Sequence, residues 1–231
     1  MPAGSFRSSF AALLAGAALL GCAGIEPAQM ALPAGLSGEP VPVAGLGAGR
    51  SGTFSVGNQR GSFQRGRDQL SLFELVSFDR AATRYDLALP DGSRTQAACV
   101  GRQTTVTVDA LVGRPRPFTV QCEWRGARNA RLTLSAPSWI PGTRAERSGQ
   151  YTTGSLTLEL RSVHEVQGSK LSLEAPIGYV MHHEGRPVGA VEINGSTPRL
   201  WRPAAGSTLH EPVTLAGLAV ALLWDPAAGL P

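Results

Sequence analysis

The stretch from Phe118 to Arg125, FTVQCEWR, alternates without a slip: Phe118, Val120, Cys122 and Trp124 against Thr119, Gln121, Glu123 and Arg125. Successive side chains of a strand point to opposite faces, so this order buries one face and wets the other. One wet face is the mark of antiparallel sheet, because parallel strands are covered on both sides. The same alternation runs through Leu156, Leu158 and Leu160, through Leu132 and Leu134, through Tyr85, Leu87 and Leu89, and through Leu171 and Leu173. Turn residues separate these runs: Asp91-Gly92, the proline pair in Gly113-Arg114-Pro115-Arg116-Pro117, Gly126, Gln167-Gly168, Glu184-Gly185 and Asn194-Gly195. From about residue 53 onward this rhythm predicts roughly nine to twelve short antiparallel strands forming a barrel or a sandwich.

One segment departs from the rhythm. Val213 to Trp224, VTLAGLAVALLW, is apolar or small at every position, and Pro212 and Asp225-Pro226 bound it. As a helix it is ~18 Å long, too short for a bilayer, and a helix apolar all round has to be buried in protein. Its Ala and Leu content favours helix; a final buried strand is the alternative. The wider composition agrees with a mainly β domain. The 28 Gly and 17 Pro among 231 residues disfavour a helix bundle, while 42% hydrophobic residues are enough for a core and exclude wholesale disorder.

The N-terminus, MPAGSFRSSFAALLAGAALLGC, carries one cation at Arg7, an apolar run from Phe10 to Leu20, a small residue and Cys22. Such a run is the core of a signal peptide, being too short to span a bilayer. Leu19-Leu20-Gly21-Cys22 resembles the lipobox of bacterial lipoproteins. That resemblance implies a signal peptide over residues 1–21, cleavage before Cys22, and acylation of Cys22 as the first residue of the mature chain. Two or three acyl chains, at ~0.8 kcal/mol per buried methylene, make a stable anchor. Ala23, where an Asp would favour the inner membrane, implies the outer membrane in a two-membrane bacterium. Export to an oxidising compartment makes Cys99 and Cys122 an expected disulfide.

Residues 22–50 hold Pro27, Pro33, Pro40 and Pro42 with no sustained period, and read as a flexible tether to a single domain over residues 51–231. Arg50, Arg60, Arg65 and Arg67, with no acid between Pro40 and Arg67, are either solvated Arg on a first hairpin or a basic stretch for anionic lipid. A run of hairpins followed by an apolar C-terminal helix resembles the tubby-like barrel shared by tubby, phospholipid scramblase and LURP-one-related proteins. The likeness spans residues 53 to 226, with GYVMHHEGRPVGAVEINGSTPRLWRP before the helix as its most suggestive part. It implies a strand barrel closed around that helix and transfers no site residue.

Function is less legible. The formal charge is +4, but all basic residues except Lys170 are Arg, scattered among 17 acids. That pattern gives no basic stripe and excludes nucleic acid as a partner. No GxSxG, HExxH, SxxK or phosphate-binding glycine loop occurs, so no catalytic residue is assigned. His164, His182, His183 and His210 lack the spacing of a metal set, since His182 and His183 fall on opposite faces of a strand. No metal and no cofactor is expected. Tyr179, Met181, Val188 and Ala190 are the candidate lining of an apolar interior able to hold a lipid or other hydrophobic ligand. Glu192 shares the parity of Val188 and Ala190 and would need a partner if buried. Asn194-Gly195-Ser196 reads as a hairpin turn, although it matches a glycosylation sequon.

Together these readings predict a lipid-anchored, non-enzymatic envelope protein that meets the membrane through its N-terminal lipid and binds an envelope protein through strands and loops. It would sit in the bacterial cell envelope, on the periplasmic side or the surface. The alternatives are a barrel carrier of lipid or another hydrophobic ligand, and a hydrolase without a familiar motif.

Overall fold

A computed structural model describes residues 28–36, 38–73, 75–108, 111–137 and 144–225. Cys22, the signal segment and Trp139 lie outside the described residues. Among the described residues twelve strands run in chain order: β1 Val41–Ala44, β2 Ser51–Val56, β3 Gln59–Leu72, β4 Val76–Ala88, β5 Arg94–Val108, β6 Leu111–Gly126, β7 Ala130–Ser135, β8 Ser148–Thr153, β9 Leu156–Val163, β10 Gly178–His183, β11 Arg186–Glu192 and β12 Arg199–Trp201. Each pairs antiparallel with its sequence neighbours, and β1 pairs with β12 to close a barrel. One helix among the described residues, α1 His210–Leu222, follows. Closure pairs every strand on both sides within the barrel proper.

The alternation that opened the sequence fixes which face is inside. Phe118, Val120, Cys122 and Trp124 all point into the core, as do Leu132, Leu134, Leu158 and Leu160. Outward positions such as Arg84, Gln96, Gln121, Glu123, Glu159 and Arg161 are exposed. A barrel with a charged wall is the reverse of a membrane-spanning one, whose lipid-facing positions are apolar. No described helix is long and apolar enough to cross a membrane.

The apolar segment is helical and lies along the barrel interior, where every residue from Pro212 to Leu222 is buried. Pro212 is tolerated in the first turn, where its missing N–H has no intrahelical partner. The helix stops at Leu223, which is extended. Gly217 lets the helix touch the wall: a Cβ there would lie 2.4 Å from Leu200 Cδ1.

The two rims differ. At one, short turns join β2 to β3, β8 to β9 and β10 to β11. Glu184 and Gly185 both have positive φ, 50° and 76°, as a tight two-residue hairpin turn requires. The helix enters at this tight-turn rim, where Arg128 donates to both Glu211 and Asp91. The other rim is tall on one side. Ser51 of β2 pairs with Gln64 and Ser135 of β7 with Thr119, yet β3 runs on to Leu72 and β6 begins at Leu111. Over this four-stranded extension the alternation inverts. Gln69, Ser71, Ser77 and Asp79 take the inward parity, while Leu70 pairs with Phe78 and Leu72 with Val76 on the outer face.

Four expectations need correction. The tether is shorter than residues 22–50: Met30 is buried, and β1 is a full member of the barrel. Its few residues, among them Pro42, are too short for a period to emerge. The proline pair, Pro115 and Pro117, lies inside β6 rather than in a turn, where the β5–β6 register shifts twice between Arg102 and Val106. Such irregularities accommodate residues that cannot donate to the ladder. Leu171 and Leu173 are not a barrel strand but exposed residues of the β9–β10 connection. Finally, the early arginines do not act together. Arg50 and Arg60 are exposed at opposite rims, while Arg65 and Arg67 point inward.

Candidate functional site

The four residues read as an interior lining divide between two faces. Tyr179 and Met181 on β10 point into the core beside Val191. Their partners set the difference: Met181 pairs with Gly189, but His182 pairs with Pro187, so Val188 is the extra residue of a bulge. Val188 packs partly against the core, whereas Ala190 lies on the outer wall with Val180, Trp201, Ile177 and Met30. A one-residue slip moves side chains to the opposite face, and a bulge is invisible in a parity count.

Helix α1 takes the space between these walls. A crevice of about 20 Å³ remains beside the helix C-terminus, against Phe118, Val120 and Leu134. That is room for about one water and far below the several hundred Å³ of a small-molecule site.

Several buried polar groups of the interior lie against the helix or at the tall rim. Tyr85 donates to the Leu215 carbonyl at 3.2 Å and accepts from Trp124 Nε1 at 3.0 Å. Burial pushes the phenols of Tyr85, Tyr151 and Tyr179 above their ordinary pKa. At the tall rim, Arg147 donates to Tyr179 at 3.2 Å, pairs with Asp225 at 2.8 Å and stacks 3.8 Å over Phe118. Burial opposes its charge, but Tyr179 and Asp225 hold its pKa above the usual value. Arg65 donates to the carbonyls of Leu46, Gly47 and Gly49 between the rings of Phe63 and Trp224, so it ties the β1–β2 loop to the helix exit. Arg67 faces Asp79 at 3.8 Å nearby.

Cys99 and Cys122 form a disulfide directly across β5 and β6, with Cα atoms 4.0 Å apart. The histidines do not converge. His164 is held by Ser162 Oγ and the Leu173 carbonyl, His183 by the Thr157 carbonyl and His210 by the Pro203 carbonyl. Burial lowers the pKa of His182, with Arg161 adding to the shift. No group of three or more His, Cys, Asp or Glu among the described residues could hold a metal.

Two features of the outer wall depend on neighbours that sequence reasoning does not locate. Glu192 is 1% exposed on the outside of the barrel, sealed there by the N-terminal segment. It accepts from the Met30 amide at 3.2 Å and from Arg199 Nη2 at 2.5 Å, while Asn194 donates to the Ala28 carbonyl at 2.6 Å. Gly178 is required beneath Met30, since a Cβ would sit 2.2 Å from its sulfur. Parity had marked Glu192 as needing a partner, but a partner far away in sequence leaves no local signal. The second feature is an open trough of about 540 Å³ across β4, β5 and β6. Ala98 and Val100 form its floor, with Arg84, Arg102 and Arg125 around it and Glu123 beside Arg125.

No protein-family model matches this chain, and no match to it is found among curated proteins or solved structures.

Proposed function

We propose that this is a lipid-anchored envelope lipoprotein with a non-enzymatic role: a helix-plugged barrel, held to the membrane by acyl chains on Cys22, that offers its outer wall to another envelope protein. The observation that carries this reading is the filled interior. With α1 seated and about 20 Å³ free beside it, recognition falls to the exterior. The trough on β4–β6 suits an extended acidic segment, because three guanidinium groups stand around a small, flat floor.

The test is site-specific photocrosslinking in cells from Gln96 and Gln121 on the trough. The expected result is an adduct with one envelope protein that disappears in an Arg84→Glu/Arg102→Glu variant. A crosslinker that yields no adduct at either position would overturn the role of the trough. The anchor is tested separately: Cys22→Ala should release the protein from the membrane fraction, and firm retention would refute it.

The barrel is also compatible in outline with a carrier of a hydrophobic ligand, but such a ligand could enter the lumen only by displacing α1. Lipid retained at one molecule per chain by a protein whose helix is crosslinked to the wall would favour surface carriage instead. Loss of lipid on locking the helix would favour the lumen.

A further inference from the structure

We infer that the tall rim is a membrane-docking surface, which lies against the bilayer that holds the acyl chains of Cys22 and inserts apolar side chains at two points. The inference rests on the anchor reading for its geometry and on independent observations for its chemistry.

The large hydrophobic side chains exposed among the described residues occupy this one rim. At the tip and outer face of the β3–β4 hairpin, Phe73 is 92% exposed, Leu70 59%, and Leu72, Leu75 and Phe78 are exposed with them. In the β9–β10 connection Leu171 is 64% exposed and Leu173 lies close by. The tight-turn rim carries no such residue among the described ones. The two patches stand on opposite arcs of the barrel, because β3 and β4 are separated from β9 and β10 by several strands in either direction. An arrangement at opposite arcs of one rim fits a broad, featureless apolar phase better than a compact protein partner.

The alternation in the β3–β4 extension supports the same assignment. Within the barrel the outward face is charged, but beyond Arg67 it turns apolar while the inward face turns polar. A hairpin in water gains nothing from that inversion; one that enters lipid does, at ~0.8 kcal/mol per buried methylene. Phe73 also sits at φ 50°, a left-handed conformation unusual for an aromatic residue, which places its ring at the tip.

The third observation is where the chain leaves. The Gln29 carbonyl accepts from the Gln167 amide, so the N-terminal segment departs beside the loop that carries Leu171 and Leu173. From Cys22 to Ala28 the chain covers 28 − 22 = 6 residues and so reaches at most ~21 Å. An acylated Cys22 would therefore leave this rim the nearer of the two to the lipid surface.

The experiment uses the full mature chain with an environment-sensitive fluorophore on a cysteine placed at Leu75, at Leu171 or, as a control, at Gly154 on the tight-turn rim. The purified protein is reconstituted in phosphatidylethanolamine–phosphatidylglycerol vesicles containing spin-labelled lipid, and its intact mass reports the acyl chains. Docking predicts quenching at positions 75 and 171 and none at 154. An acylated chain with all three probes equally unquenched overturns docking and leaves the anchor standing. A chain without acyl groups, whose probes at 75 and 171 are still quenched by added vesicles, removes the anchor and retains docking. A probe at 75 that is shielded without lipid, together with a dimer mass, assigns the patch to a second copy and overturns the proposal. A Phe73→Asp/Leu75→Asp variant, whose changes are exposed and leave the core intact, should partition about tenfold or more weakly into the same vesicles.

Discussion

Glu192 shows what a single residue contributes here. It is a carboxylate on the outer wall, yet the segment around Met30 covers it and Arg199 neutralises it. Removing one partner of a buried ion pair strands the other, but Arg199 is one-third exposed and can rehydrate. Glu192→Ala should therefore cost about 2 kcal/mol, below the usual range for a wholly buried pair. It should also speed hydrogen exchange at the Met30 and Ala31 amides before the barrel opens. Unchanged exchange there would show that the segment is held by apolar packing alone. The tyrosines give a second residue-scale test. Tyr85, Tyr151 and Tyr179 are the chain's three tyrosines, all buried, with pKa raised chiefly by burial. The unfolded phenols lose protons near pH 10 and the folded ones only above it, so stability is intact below about 10 and falls as pH rises past that value. Phenolate absorbance in the folded protein should stay low until unfolding, then appear in one step. Tyr85→Phe should flatten the alkaline loss of stability, although it also removes the Leu215 hydrogen bond and costs about 1 kcal/mol at neutral pH.

At the scale of elements, the strands and helix were legible because their periods differ. A run of alternating residues such as FTVQCEWR has one solution, a half-buried strand, and a short apolar run rich in Ala and Leu favours a buried helix. The parts that were not legible are those that depend on contacts distant in sequence. Strand β1 exists because β12 and β2 offer it hydrogen bonds on both sides, not because VPVA has a pattern. The prolines of β6 look like a turn until the bulged register with β5 is known. Leu171 and Leu173 alternate like a strand but face solvent, so their alternation reports on a surface outside the core. The fit of α1 to the wall is testable. A Cβ at Gly217 would meet Leu200, and one at Gly189 would lie 2.4 Å from Val213 Cγ1 and 2.9 Å from the Trp201 carbonyl. Gly217→Val should destabilise by about 1–3 kcal/mol through overpacking, and Leu200→Ala in the same chain should recover part of that loss. Across the wall, Cys99 and Cys122 join adjacent strands. The Cys99→Ala/Cys122→Ala variant should lose about 3 kcal/mol by the loop-entropy estimate, read as a shift in denaturation midpoint.

The whole molecule is polarised in a way that no single residue or element reveals. The helix enters at the tight-turn rim and ends at the tall one, where the N-terminal segment also leaves and the exposed leucines and phenylalanines gather. Sequence analysis identified the β domain and proposed a lipid site at Cys22, but held no signal for how the N-terminal segment lies against the barrel. Which rim the chain leaves from is set by the packing of Met30 on Gly178. With Cys22 acylated, the proposed docking would be an intramolecular event whose strength depends on the effective concentration of the rim at the lipid surface. That concentration falls roughly as the −3/2 power of linker length. Lengthening the tether from 6 residues to about 30 with Gly/Ser after Ala23 should reduce it about tenfold. Quenching at Leu75 and Leu171 should then weaken, while crosslinking at the trough on β4–β6 persists, since the trough lies on the side wall and not on the apolar tips. Salt separates the two surfaces further. At about 0.5 M the guanidinium groups of the trough are screened beyond ~4 Å and partner binding weakens, whereas apolar insertion at the rim holds or strengthens. If tether length and salt moved both readouts together, trough and rim would belong to one binding surface, and the division of the barrel into a membrane-facing rim and a partner-facing wall would have to be abandoned.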